Sequence, residues 1–170
     1  MRMEKNRNKN QGFSLIEVIV IVLILGIIST ITVLSVSYAY GSNANHCAKR
    51  LSSLLDYTRT QSLEMVEGTV CLRLSIESDG SIQAISIKQL GDLETELDRE
   101  KIGNSSLTVY SKKDGIEFQK LDVGSSIDFK YSKNTGAFLA STMPYTMIKF
   151  EGSKTATLIL VKETGRNYIK

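Results

Sequence analysis

The stretch QGFSLIEVIVIVLILGIIST, Gln11 to Thr30, sets one carboxylate, Glu17, at the head of an otherwise apolar run. From Val18 to Asn45 no residue carries a formal charge, so this segment is long enough for a membrane span of roughly 20 residues. An acid near the middle of a bilayer costs about 2.5–3.5 kcal/mol on insertion scales, less toward the interface, which makes such a residue a candidate functional group in need of a partner. Working outward from this segment, the chain of 170 residues leaves about 125 residues for one soluble domain with a real core.

The formal charge of +3 is not spread along the chain. Arg2, Lys5, Arg7 and Lys9 face only Glu4 within Met1–Gly12, which leaves 17 basic and 17 acidic side chains in residues 13–170. Basicity therefore belongs to a short leader. By the positive-inside tendency that end is expected in the cytoplasm and the C-terminal domain outside. A general polyanion-binding surface has no support in composition. An ordinary secretory signal would have a shorter apolar core of about 7–15 residues and a small-residue cleavage site, for which Ser42–Ala44 could pass. A plain anchor accounts for the hydropathy but gives no reason for Gly12, Ser14 or Glu17.

Gly12-Phe13-Ser14-Leu15-Ile16-Glu17, behind a basic leader and ahead of an apolar helix, resembles the N-terminal signal of the type IV pilins and pseudopilins. The resemblance implies cleavage between Gly12 and Phe13 by a membrane aspartic peptidase and methylation of the new amine on Phe13. It also implies that the Glu17 carboxylate pairs with the N-terminal amine of a neighbouring subunit, so that Glu17 is an assembly group and not a catalyst. Each charge alone is costly in lipid, and together they cancel much of that cost. Gly26 reads as a packing notch between helices. Major pilus subunits of the family often carry a proline near the position of Leu34; here the single proline is Pro144, which leans toward a minor or pseudopilin subunit.

Past the apolar run, Cys47, Leu51, Leu54, Leu55, Thr58 and Ser62 recur at spacings of three and four, with Lys49, Arg50, Ser53, Arg59 and Gln61 elsewhere on the wheel. This is an amphipathic helix to about Met65, stopped by Gly68. Gly41–Asn45 is a polar joint where a bend is expected. His46, the one histidine, has no second ligand beside it and reads as a solvated imidazole. From Gly68 the period becomes two: Val70, Leu72, Leu74 and Ile76 alternate with Thr69, Cys71, Arg73 and Ser75, and Ser78-Asp79-Gly80 turns the chain into Ile82–Ile87. Further strands are expected at Leu107–Tyr110, Ile116–Leu121, Ile127–Tyr131, Ala137–Ala140, Met147–Phe150, Ala156–Val161 and Asn167–Ile169. Glycine-bearing turns at 113–115, 134–136, 151–153 and 163–165 punctuate them. The acid-rich Leu90–Lys101 reads as a solvated loop or short helix, because its acids lack the spacing of a calcium loop. Of the two cysteines, Cys47 falls on the apolar helix face and Cys71 on the opposite side of its strand from the core, so two free thiols are expected, one of them buried.

The fold class expected is α+β: a long N-terminal helix packed on an antiparallel β-domain. Its divisions are a leader at 1–12 that is removed, a transmembrane and assembly helix at 13–41, an amphipathic half at 42–67 and an exported β-rich domain at 68–170. CAKRLSSLLDYTRTQSLEMVEGTVCLRL, IDFKYSKNTGAF and ATLILVKETGRNYIK resemble the corresponding regions of the H-type minor pseudopilins. The resemblance implies a non-enzymatic structural subunit with no cofactor and no metal, placed in the priming or tip region of a type IV pilus or type II secretion-like pseudopilus. Its implied partners are the prepilin peptidase and methylase, other pilin or pseudopilin subunits, an inner-membrane platform protein, an assembly ATPase and membrane lipid. Two alternatives stand beside it: a DNA-uptake pseudopilin, for which the C-terminal end offers Arg166 and Lys170 amid a neutral domain, and a solitary membrane-anchored envelope or adhesin domain.

Overall fold

In the computed structural model the described residues are 15–139 and 144–170, with the side chains of 26–42 left aside. Among these described residues one helix, α1, covers Leu15–Glu64 and nine strands follow it: β1 Thr69–Ile76, β2 Ile82–Leu90, β3 Leu93–Gly103, β4 Thr108–Lys113, β5 Gln119–Lys120, β6 Ser126–Lys130, β7 Tyr145–Glu151, β8 Thr155–Val161 and β9 Arg166–Ile169. The chain divides into two compact units, residues 1–37 and 38–170. In the first, the described side chains from Leu15 to Leu25 are all exposed. Among the described residues no helical stretch is long and apolar enough to cross a membrane.

The second unit holds the β-domain and the C-terminal part of α1. Two antiparallel sheets, in the orders β3-β2-β1-β6 and β5-β4-β7-β8-β9, share one core. The helix contributes Ala44, Cys47, Ala48, Leu51 and Leu55 to that core, a stripe at spacings of three and four in which the two alanines permit close approach. From the sheets come Leu72, Leu74 and Phe129 on one side and Val109, Phe150 and Leu158 on the other. Tyr131 stacks on Phe138 with ring centroids 4.6 Å apart. Below the apolar stripe, two buried hydroxyls are satisfied within the helix: Thr58 Oγ1 donates to the Leu54 carbonyl and Ser62 Oγ to the Thr58 carbonyl, both at 2.8 Å. The expected stripe from Cys47 to Ser62 is thus the buried face of α1, and the helical assignment runs through Gly41–Asn45 without a break.

Three expectations are corrected. Leu90–Lys101 is neither loop nor helix: most of it forms β3, which pairs antiparallel with β2 from Leu90 opposite Leu93 to Ile82 opposite Gly103. The connection is the two-residue loop Gly91-Asp92, with Gly91 at φ +60°, which is the left-handed first position a tight hairpin turn assigns to glycine. As an edge strand, β3 needs no buried face, and its charges are a standard protection of such an edge. Cys71 is the second correction, because both thiols are buried and free. Cys71 does point away from the main core, but it lies with Ile85 and Ile87 in a second small cluster. Third, the strand expected at Ile116–Leu121 is reduced to Gln119–Lys120, and the one expected at Ala137–Ala140 to a single bridge between Tyr131 and Phe138, with Ala140 outside the described residues.

Candidate functional site

Gly12 and Phe13, together with the leader, lie outside the described residues. Glu17 is described: it stands in the first turn of α1 with its side chain exposed. Around it the helix surface is apolar on every side, with Leu15 78%, Ile16 67% and Leu25 57% exposed in the isolated chain. A helix apolar all round is stable only when lipid or other helices cover it. A carboxylate at its head can therefore do one of two things: meet a cation brought by whatever covers the helix, or remain at an aqueous boundary. Gly26 falls among the side chains left aside.

The remaining candidates from the sequence do not assemble into a second site. His46 is exposed and lines, with Lys101 and Asn104, a shallow cleft of about 210 Å³. Among the described residues no group of three or more histidine, cysteine or acidic side chains is placed to hold a metal ion. Burial pushes the Cys47 thiol up to about 12, and burial likewise raises Cys71, so both are poor nucleophiles. The acids of β3 are partly engaged by the chain itself: Arg99 bonds Glu96 at 2.8 Å, and Arg73, doubly bonded to Asp128, reaches Glu94 at 3.4 Å. Hydrogen bonding to Asp128 is the main reason the Arg73 guanidinium is held more firmly charged than usual.

One constellation has no counterpart in the sequence reading. Arg59 Nε donates to the Gly136 carbonyl at 2.9 Å and to the Thr164 carbonyl at 3.2 Å, tying the helix to two separate turns of the β-domain. Beside it, Asn167 accepts from Ser52 and donates to Asp56. The signal was present only as two glycine turns, at 134–136 and 163–165, whose proximity no spacing along the chain reveals.

Residues 7–33 match the family model described as the prokaryotic N-terminal methylation motif. The chain carries the type IV pilin and pseudopilin signal. That motif contains Gly12, Phe13 and Glu17; it marks pilin-like proteins that prepilin peptidase processes, that assemble with other pilin subunits, and that pass from a membrane anchor to exposure on a pilus. No curated protein and no solved structure matches the chain.

Proposed function

We propose that the chain is a minor pilin or pseudopilin, a structural subunit processed between Gly12 and Phe13 and built into a filament through residues 13–41. The observation that carries this reading is the methylation motif at residues 7–33, placed directly at the start of a helix whose first described side chains are exposed, apolar and interrupted only by Glu17. In this reading residues 13–41 anchor the subunit in the membrane with its N-terminus cytoplasmic, the β-domain lies outside, and Phe13 carries the methylated amine. A platform protein and an assembly ATPase then drive its passage from lipid into the filament. The sequence similarities to H-type minor pseudopilins and the absence of a proline near Leu34 support a position in priming or at the tip.

The experiment is intact-mass analysis of the protein from membranes of cells with and without the peptidase, followed by purification of filaments. The expected mature species begins at Phe13 with one added methyl group, and it co-purifies with pilin-like subunits. A mature N-terminus near Asn45 would instead support an ordinary secretory signal. Correct processing without any filament association would support a solitary anchored domain.

A further inference from the structure

Charge is unevenly divided between the two sheets of the β-domain. In the first sheet β1 and β2 carry one basic side chain each, β3 two and β6 one, against four acids on β3 and one on β6. The strands of the second sheet carry Lys112, Lys113, Lys120, Lys149 and Arg166 against Glu151 alone. Most of these cations share the outward face. Val109, Ser111, Ile148 and Phe150 are buried, so Tyr110, Lys112, Met147 and Lys149 between them point out, and residues directly opposite across a ladder share a side. Register therefore lays two adjacent rows across this face: Lys112, Met147, Ile159 and Tyr168 in one, Lys120, Tyr110, Lys149 and Thr157 in the other. Arg166, opposite Val161, stands beyond the first row. Lys113 follows a register shift and lies over the Tyr145 ring, 5.3 Å from its centroid, at the end of the sheet. The carboxylate on the face is Glu151, 2.9 Å from Lys149. Flanking residues are nearly balanced, with Asp114, Glu117, Asp122 and Glu163 against Lys154, Lys162 and Lys170. Among the described residues Lys112, Lys120 and Arg166 pair with no carboxylate.

Aromatic rings hold the central cations in place. Lys149 Nζ stands 4.2 Å from the Tyr110 ring centroid and 5.2 Å from that of Phe118, and Lys112 Nζ stands 5.7 Å from that of Phe118. Apolar surface stays open beside them: Tyr168 is 53% and Phe118 37% exposed. An apolar row bordered by aromatic rings and lysines matches the boundary of a bilayer, where rings sit at headgroup depth and ammonium groups meet lipid phosphate. We propose that this outer face of the second sheet docks on the surface of a bilayer containing anionic phospholipid. The inference rests on the anchored-subunit reading and concerns the subunit while it is still in the membrane. Along the chain the uncharged run reaches Asn45 and the core of the β-domain begins at Ala44, so a bilayer holding residues 13–41 is only a few residues away. A nucleic acid offers the same phosphodiester chemistry but binds single-stranded through open rings on which bases stack. Here Lys149 covers Tyr110, and the Met147–Ile159 pair gives bases no ring to stack on.

The test uses the full chain inserted in vesicles of phosphatidylcholine alone or of phosphatidylcholine and phosphatidylglycerol in equal parts, each with a trace of lipid bearing a headgroup quencher. A fluorophore is attached at Thr155→Cys, exposed at the margin of the face, or at Leu97→Cys on the exposed edge strand of the other sheet. Cys47 and Cys71 are buried, so they stay unlabelled in folded protein and their labelling marks a misfolded variant. The expected result is quenching of the Thr155 label in the anionic vesicles, little in phosphatidylcholine alone, and none of the Leu97 label in either. Each cation close to an anionic leaflet contributes about a fivefold gain, so Lys112→Gln with Lys120→Gln should lower the ratio of docked to free domain about thirtyfold. Salt at about 1 M, where the screening length is about 3 Å, should release the unaltered domain. Equal quenching in the two kinds of vesicle overturns the proposal, as does equal quenching of the two labels or quenching that survives either the lysine changes or the salt. Displacement by a single-stranded oligonucleotide or by inorganic phosphate, at matched phosphate concentration and ionic strength, assigns the face to those ligands and overturns it as well. Flotation with the vesicles is scored separately: failure to float counts against the anchored-subunit reading, and flotation without lipid-dependent quenching counts against docking alone.

Discussion

Glu17 occupies the first turn of α1, where the unpaired amides and the helix dipole stabilise a carboxylate by about 0.3–1 kcal/mol. That is less than the roughly 2.5–3.5 kcal/mol cost of an acid deep in a bilayer, so the helix end alone does not offset burial in lipid, and the filament reading proposed above assigns the partner to the N-terminal amine of a neighbouring subunit. Glu17→Gln should leave cleavage and membrane retention unchanged while lowering the ratio of filament-associated to membrane-retained protein. Breaking one partner of a buried pair costs about 3–5 kcal/mol, roughly a hundredfold or more in a docking equilibrium. Normal incorporation of the Gln variant would refute the pairing role. A second single residue matters for the β-domain. Gly165 has φ +66°, and a Cβ there would stand 1.9 Å from the Gly136 carbonyl oxygen, a backbone atom that cannot move aside cheaply. Gly165→Ala combines left-handed strain with this clash and should destabilise the domain by about 2 kcal/mol or more, read as a lower denaturant midpoint; an unchanged midpoint would show that the two turns separate freely.

Those two turns are held by α1, and the arrangement separates its strong ties from its weak ones. Arg50 and Glu100 form a bidentate pair between helix and β3, but both are substantially exposed, so solvent screening leaves them little net effect. Arg59, partly buried, satisfies two backbone carbonyls from turns 77 and 105 residues away. Arg59→Met should cost about 1–2 kcal/mol, whereas Arg50→Met should stay within the scatter of ordinary surface changes; urea titration of both variants checks the order, and a reversed order would refute it. The same contrast explains what could be read beforehand. The N-terminal motif was legible because identity and spacing are fixed by chemistry, and β1, β7 and β8 because period-two apolar residues line one core, while β2 divides its apolar residues between that core and the small cluster on the outer face. β3 is harder to read because an exposed edge strand has no apolar face to set its period, so its charges resemble those of a solvated loop and the Gly91-Asp92 turn is the one local hairpin signal. The burial of Cys71 does not follow from alternation, because a strand's outer face can carry a small apolar cluster of its own. The Arg59 clamp depends on residues far apart in sequence, and local pattern carries no trace of it.

One core joins the C-terminal part of α1 to both sheets, which decides how the β-domain comes apart. Leu51 from the helix and Phe150 from β7 are both fully buried in it. If helix and sheets were separately stable, truncating Leu51 would loosen only the helix, and helical and tertiary signals would part company on unfolding. A shared core predicts otherwise. Leu51→Ala should cost about 2–5 kcal/mol and Phe150→Ala about 3–5 kcal/mol, and each should shift one common transition to lower denaturant concentration. The chain has no tryptophan and seven tyrosines, and Tyr131 is fully buried against Phe138, so tyrosine near-ultraviolet dichroism reports the packed β-domain while far-ultraviolet dichroism reports the backbone. In full-length protein in detergent, the far-ultraviolet change belonging to the β-domain and the tyrosine signal should coincide for the parent and both variants. A Leu51→Ala protein whose tyrosine transition stays at the parent midpoint would show that the helix is an attachment to the sheets and not part of their core.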